Sequence, residues 1–137
     1  MSALVQHICR GALAGFFFIT GASKLTLFTT NADPVDLAGV HLGPIAIAMV
    51  MTFEIALVVG LLTRFWRGVV WIAALVFLGF AGLSISDLAG WTHTHHCGCL
   101  GTIKLDAASR FVMALGGLIT ALAAALPREQ PGQPERA

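Results

Sequence analysis

The chain has 137 residues, 57% of them hydrophobic and 11% charged, against about 25% charged in an ordinary globular domain. A soluble fold could not cover its surface with so few charges, so the composition calls for a lipid bilayer as solvent. A formal net charge of +1 with scattered Lys and Arg gives no nucleic-acid footprint, and three cysteines, only two of them close together, make no extracellular disulfide scaffold.

Residues 5–27 are apolar apart from His7, Arg10, Lys24 and a few hydroxyls. A membrane helix needs roughly 20 such residues. Basic residues near its ends can reach the headgroups, the anchoring role expected of Arg10. A cleaved signal peptide with Thr20-Gly21-Ala22 as its cleavage site is the competing reading. It is disfavoured because the positive charge sits ten residues in and Lys24 follows the site almost at once. Gly11 and Gly15 form a GxxxG pair, a pattern that permits close helix packing in lipid. Cys9 reads as a small apolar filler.

The first connection, 28–42, carries the turn signal Asn31-Ala32-Asp33-Pro34 and His41, a loop histidine that could join a site. A second span follows at 43–63, with Pro44 in its first turn, where a missing N–H costs little, and Glu54 near its middle. Arg64-Phe65-Trp66-Arg67 is a basic, aromatic connection suited to a membrane interface. The third span, 68–88, carries Trp71 near one end and Ser84, Ser86 and Asp87 near the other. A loop at 89–106 leads to the fourth span, 107–126, which Pro127 ends. The tail 128–137 is expected to be disordered. The expected fold is therefore all-α: a polytopic membrane protein whose single domain, 1–127, is a four-transmembrane-helix bundle.

Orientation follows from the positive charges flanking the spans. One side collects Arg10, Arg64, Arg67, Arg128 and Arg136, the other Lys24, Lys104 and Arg110. That imbalance predicts an inner-membrane protein with both termini cytoplasmic. The 89–106 loop then faces a compartment in which disulfides persist.

The chemistry concentrates in that loop. His93-Thr94-His95-His96-Cys97-Gly98-Cys99 holds three of the five histidines and two of the three cysteines. Two thiols one residue apart can close a strained and therefore reducible bridge, since the dipeptide brings their Cα atoms to about 5.5–7 Å. Gly98 removes the Cβ that would obstruct the turn. A neighbouring imidazolium, from His96 or His95, favours the thiolate that attacks in exchange. Three readings stay open: a dithiol/disulfide relay, a soft-metal site with His93, His95, His96, Cys97 and Cys99 as ligands for copper, zinc or mercury, and idle thiols or a static bridge.

Charges inside the spans are the second constellation. A carboxylate at mid-bilayer is costly unless neutral, paired or facing a polar cavity, which makes Glu54 a functional candidate. A protonated Glu54 bonded to a neighbouring helix for packing is the alternative. Lys24 and Asp87 both fall near the same membrane side, so a Lys24–Asp87 pair is a geometrically reasonable expectation.

Arg10 to Leu25, with Phe18-Ile19-Thr20-Gly21-Ala22-Ser23-Lys24-Leu25, resembles the first helix of the MauE/DoxX-like membrane proteins. Pro44, Glu54 and Gly60-Leu61-Leu62 resemble their second helix. Cys97-Gly98-Cys99-Leu100-Gly101 resembles their CGCFG loop, with Leu where Phe is usual. The resemblance implies an inner-membrane protein linked to thiol redox, as in methylamine dehydrogenase maturation, or to quinone-linked sulfur oxidation. His93-Thr94-His95-His96 departs from the pattern and favours the metal reading. The functional expectation is a thiol-disulfide redox protein with Cys97 and Cys99 as the exchanging pair. In it His96 tunes the thiolates, Lys24 and Glu54 form a polar interior, and electrons pass to or from a quinone or a periplasmic thioredoxin-like or maturing partner. A metal-handling or transport protein is the alternative, and a small anchor subunit a third possibility.

Overall fold

The computed structural model describes residues 3–29, 35–37, 40–91 and 105–126. Four long helices dominate: α1 (Ala3–Thr29), α2 (Pro44–Leu62), α3 (Trp66–Leu88) and α4 (Ala107–Ala125). Between α1 and α2 two short strands, β1 (Val35–Leu37) and β2 (Val40–Leu42), pair antiparallel with Asp36 opposite His41. Nothing in the residues of that connection signals a strand. The Asn31 to Pro34 turn, Pro127 and the tail lie outside the described residues. All four helices are long and apolar enough to cross a membrane. The 19 residues of α2 rise about 28 Å, close to the roughly 30 Å of a hydrocarbon core. The all-α, four-helix membrane architecture read from the sequence is the one observed.

Successive helices run antiparallel in a ring. At one end lie the start of α1, the end of α2, the start of α3 and the end of α4. At the other, the loop end, lie the end of α1, the strands, the start of α2, the end of α3 and the start of α4. Contacts are most extensive between α3 and α4 and between α1 and α2, lighter between α1 and α4, and lightest between α2 and α3. The bundle is thus two helical hairpins laid side by side.

Each helix turns one stripe inward. On α2 the buried residues are Glu54, Leu57 and Leu61; on α3 they are Val70, Ala73, Ala74, Phe77, Ala81 and Ser84. Large apolar side chains meanwhile point outward, among them Ile45 at 76% exposure and Leu75 at 68%, while the interior holds Gln6, Thr20, Lys24, Glu54 and Ser84. A water-soluble protein of this kind would leave that apolar exterior exposed over far more than the few hundred Å² usually tolerated. Lipid as the solvent resolves it. Buried hydroxyls are satisfied within their own helices, Thr20 donating to the Phe17 carbonyl and Ser84 to that of Phe80.

The α3–α4 hairpin closes on small residues. The buried residues of α4 are Ala114, Ala121 and Ala124, and Gly117 falls on the same stripe. Phe77 of α3 seats directly over Gly117 and is 1% exposed. The ring of Phe77 also meets Phe16 and Phe17 of α1, with centroids 5.1 and 5.5 Å away, which ties the two hairpins together across the centre. A second close approach lies at the α2–α3 turn, where a Cβ on Gly60 would stand 2.6 Å from Val69 Cγ2. Gly11 and Gly15, the expected packing pair, have nothing within 4 Å of where a Cβ would stand, so the close contacts rest on Gly60 and Gly117 instead. Cys9 packs against the apolar core as a partly buried free thiol.

A methyl group at Gly117 would collide with the Phe77 ring. Gly117→Ala is expected to lower stability by about 1–3 kcal/mol in detergent-based thermal unfolding. Gly116→Ala, one residue away with open space at its Cβ position, should leave the transition in place.

Candidate functional site

The interior polar site is built from α1 and α2. A helical side chain leans toward the N-terminus of its own helix. Lys24, near the loop end of α1, therefore aims back into the bundle. Its Nζ donates to both carboxylate oxygens of Glu54, at 2.7 Å to Oε1 and 2.9 Å to Oε2, and to the Thr20 carbonyl at 3.4 Å. Both residues are buried, Lys24 at 2% and Glu54 at 4% exposure. Gly21 lies one turn from Lys24, and a Cβ there would stand 3.6 Å from Glu54 Oε2, so the lack of a side chain leaves room beside the carboxylate. The site is an ammonium and a carboxylate held together inside a lipid-facing bundle.

This corrects the pairing expected from the sequence. Lys24 joins Glu54, and Asp87 joins the Arg110 guanidinium through Oδ2 and Nη2, with both side chains about nine-tenths buried. The reason is direction. Lys24 reaches inward along its own helix, whereas Asp87 in the last turn of α3 and Arg110 in the first turn of α4 face each other across the antiparallel hairpin. The Asp87–Arg110 pair was not anticipated, although the antiparallel register of two helices joined by one loop could have suggested it.

That second pair stands where the chain leaves α3 and enters α4. The end of α3 is a Schellman turn: Gly90 at φ +73° donates to the Asp87 carbonyl and Trp91 to that of Ser86. Glycine suits this left-handed position because a Cβ would be strained there. Trp91 is then left 82% exposed, as an aromatic residue at a membrane interface would be. The start of α4 is capped by Asp106, whose carboxylate accepts from the Ser109 hydroxyl at 2.6 Å and from the Ser109 backbone N–H at 3.2 Å. The Ser109 hydroxyl, and secondarily its N–H, hold the Asp106 carboxyl below the usual aspartate range. A lowered pKa makes the cap favourable above the ordinary aspartate range, and it is lost as the pH falls through the lowered value. The Ser109 amide resonance should report that loss.

His93, His95, His96, Cys97 and Cys99 all lie outside the described residues, within the segment 92–104 that joins these two helix ends. Among the described residues there is no group of three His, Cys, Asp or Glu side chains that could hold a metal ion. An apolar groove of about 560 Å³ lies along the outer face of α2, lined by Pro44, Ile45, Ala48, Met49, Thr52, Phe53 and Ala56. The only hydroxyl in its lining, on Thr52, donates to the Ala48 carbonyl, so the described lining offers a quinone head group no uncommitted donor.

At the opposite end α1 seals its neighbours. The last carbonyls of a helix have no partner within it, and in a membrane they must find one. Gln6 Nε2 donates to the carbonyls of Ala124 at 3.0 Å and Leu126 at 3.3 Å, closing α4. Arg10 donates to the Leu61 carbonyl from Nε at 3.1 Å and Nη2 at 2.7 Å, closing α2. Arg10 is thus a cap between helices rather than the headgroup anchor expected of it, its cation complementing the negative end of the helix.

A family model described as methylamine utilisation protein MauE matches residues 2–127, a stretch that takes in all four helices and the Cys-Gly-Cys segment. The chain belongs to the MauE family. No curated protein and no solved structure matches it. Membership of MauE and the four apolar helices together identify a membrane protein.

The ion pair makes a definite prediction. Glu54→Gln leaves Lys24 as a buried cation without its carboxylate, and should destabilise this MauE protein by about 3–5 kcal/mol. Lys24→Met combined with Glu54→Gln removes both charges and should recover most of that loss in thermal unfolding.

Proposed function

We propose that this MauE-family protein is a membrane thiol-disulfide exchange protein in which Cys97 and Cys99 open and close a bridge against a partner's dithiol. What carries the reading is the Cys-Gly-Cys segment inside a chain that matches MauE over its full helical part. One thiolate of the pair attacks the partner's disulfide, a mixed disulfide forms, and the second thiol resolves it. One bridge closes as the other opens, two electrons pass, and the two protons exchange between the dithiols. The reverse direction uses the same steps. His96 beside Cys97 stabilises the thiolate. The Asp87–Arg110 pair and the capped helix ends give the exchanging loop fixed anchor points.

Lys24 and Glu54 serve in this reading as a proton-handling pair. A buried ammonium in contact with a carboxylate can pass its proton across 2.7 Å without exposing a charge to lipid. The partner is a periplasmic thioredoxin-like protein or a protein whose disulfides are maturing, as the family's link with methylamine utilisation suggests. The protein sits in the inner membrane with both termini cytoplasmic and the Cys loop outside. Residues 1–127 form its membrane domain, with 128–137 on the cytoplasmic side.

The test is the protein purified without reductant. Mass spectrometry is expected to find Cys97 and Cys99 joined and metal well below one equivalent. Reduced thiols with one equivalent of copper, zinc or mercury would replace the redox reading with a metal site formed by His93, His95, His96, Cys97 and Cys99. Orientation has its own measurement. A membrane-impermeant maleimide added to intact, reduced cells should label Cys97 or Cys99 and spare Cys9. Labelling that appears only after lysis reverses the topology.

A further inference from the structure

We infer that the end of the bundle opposite the Cys loop carries a binding site for the headgroup of an anionic phospholipid, formed by Arg67 on Trp66 and Arg64 on the adjacent Phe65, with Arg10 sharing the Trp66 ring. The indole of Trp66 is the organising element. The Arg10 guanidinium lies 4.9 Å from its ring centre and that of Arg67 5.8 Å, so two cations converge on one aromatic surface. Arg64 stacks on the adjacent Phe65 ring at 5.2 Å. Trp66 is itself packed against the apolar core, so the platform that gathers these charges is anchored by the bundle.

Nothing on the described surface balances them. Among the described residues the carboxylates are Asp36, Glu54, Asp87 and Asp106, and each lies at the loop end or in the bundle interior. The ion pairs within that set join Lys24 to Glu54 and Arg110 to Asp87, and take in none of Arg10, Arg64 or Arg67. Gathering Arg10 and Arg67 on one indole, with Arg64 on the neighbouring ring, raises their mutual repulsion, and a bound anion relieves it. Arg10 spends Nε and Nη2 on the Leu61 carbonyl, whereas Arg64 and Arg67 are exposed and present planar forks that match a phosphate in two-point geometry.

The surroundings select a lipid phosphate over a free one. Leu62 and Phe65, each 65% exposed, flank the arginines, and the outer face of α3 continues away from them through Trp71 and Leu75. A phosphodiester carried on acyl chains satisfies both parts of this surface, with the phosphate on the guanidinium groups and the chains along the exposed apolar side chains. Basic residues of this kind beside a membrane helix draw anionic lipid from its leaflet. The inference rests on the geometry of this end and is independent of the thiol reading.

The experiment uses the full chain in detergent and compares phosphatidylglycerol with phosphatidylcholine of identical acyl chains by native mass spectrometry. Phosphatidylglycerol should be retained preferentially. Replacing Arg64 and Arg67 together by Gln, with Arg10 left to cap α2, should weaken its retention roughly thirtyfold and leave phosphatidylcholine unchanged. In the unmodified protein the preference should shrink as salt rises, because the arginines are exposed to screening. That arm gives an answer even if the double variant does not fold. Equal retention of the two lipids, an unchanged double variant or a salt-independent preference would each overturn the site. Displacement of the lipid by millimolar inorganic phosphate would make it a free-anion site and overturn the lipid assignment.

Discussion

A charged group placed in hydrocarbon must find an opposite charge, and in this bundle that requirement falls on Glu54. Insertion scales put an ionisable side chain at the centre of a membrane helix at about 2.5–3.5 kcal/mol. No rearrangement of α2 alone could bring that carboxylate to water from the helix middle. Lys24 answers it from the neighbouring helix, and the two-oxygen contact sets how far α1 slides along α2. Once that register is set, Arg10 arrives at the Leu61 carbonyl in the last turn of α2. The α1–α2 hairpin is thus fastened near the middle by an ion pair and at one end by a cap.

The second hairpin is fastened differently. Between α3 and α4 the contact is made by alanines and Gly117, which let the helices approach until dispersion forces between backbones become appreciable. Apolar burial drives little association in lipid, so close fit has to substitute for it. The Phe77 ring uses the space left by Gly117 and reaches across to Phe16 and Phe17, joining a hairpin held by charge to one held by shape. Asp87 and Arg110 then close the loop end of α3 and α4.

These features bear on function through position. The segment with the Cys-Gly-Cys pair starts and ends on helix termini that are individually capped and joined by an ion pair. In the thiol-exchange function proposed above, the α3–α4 hairpin would be the support on which the thiols are presented. The Lys24–Glu54 pair sits deeper, on the other hairpin. Among the described residues, Thr20 and Ser84 are the other buried polar side chains in the loop-end half of the bundle.

Much of this was legible in the sequence, for a simple reason. Four apolar runs of about 20 residues can only be membrane helices, because no other structure satisfies every backbone group within the segment. The same rule marked Glu54 and Lys24 as costly and therefore meaningful. The start of α2 at Pro44 depends on local conformational preference, which also stays with the chain. What the tertiary structure decided were the partners. Lys24 to Glu54 rather than Asp87, Arg10 to a carbonyl rather than a headgroup, and Gly117 rather than Gly11 and Gly15 as the packing glycine all depend on which faces of different helices meet. A sequence lists the charged and small residues of each helix, but the rotation and depth at which two helices pack are set by all their side chains at once.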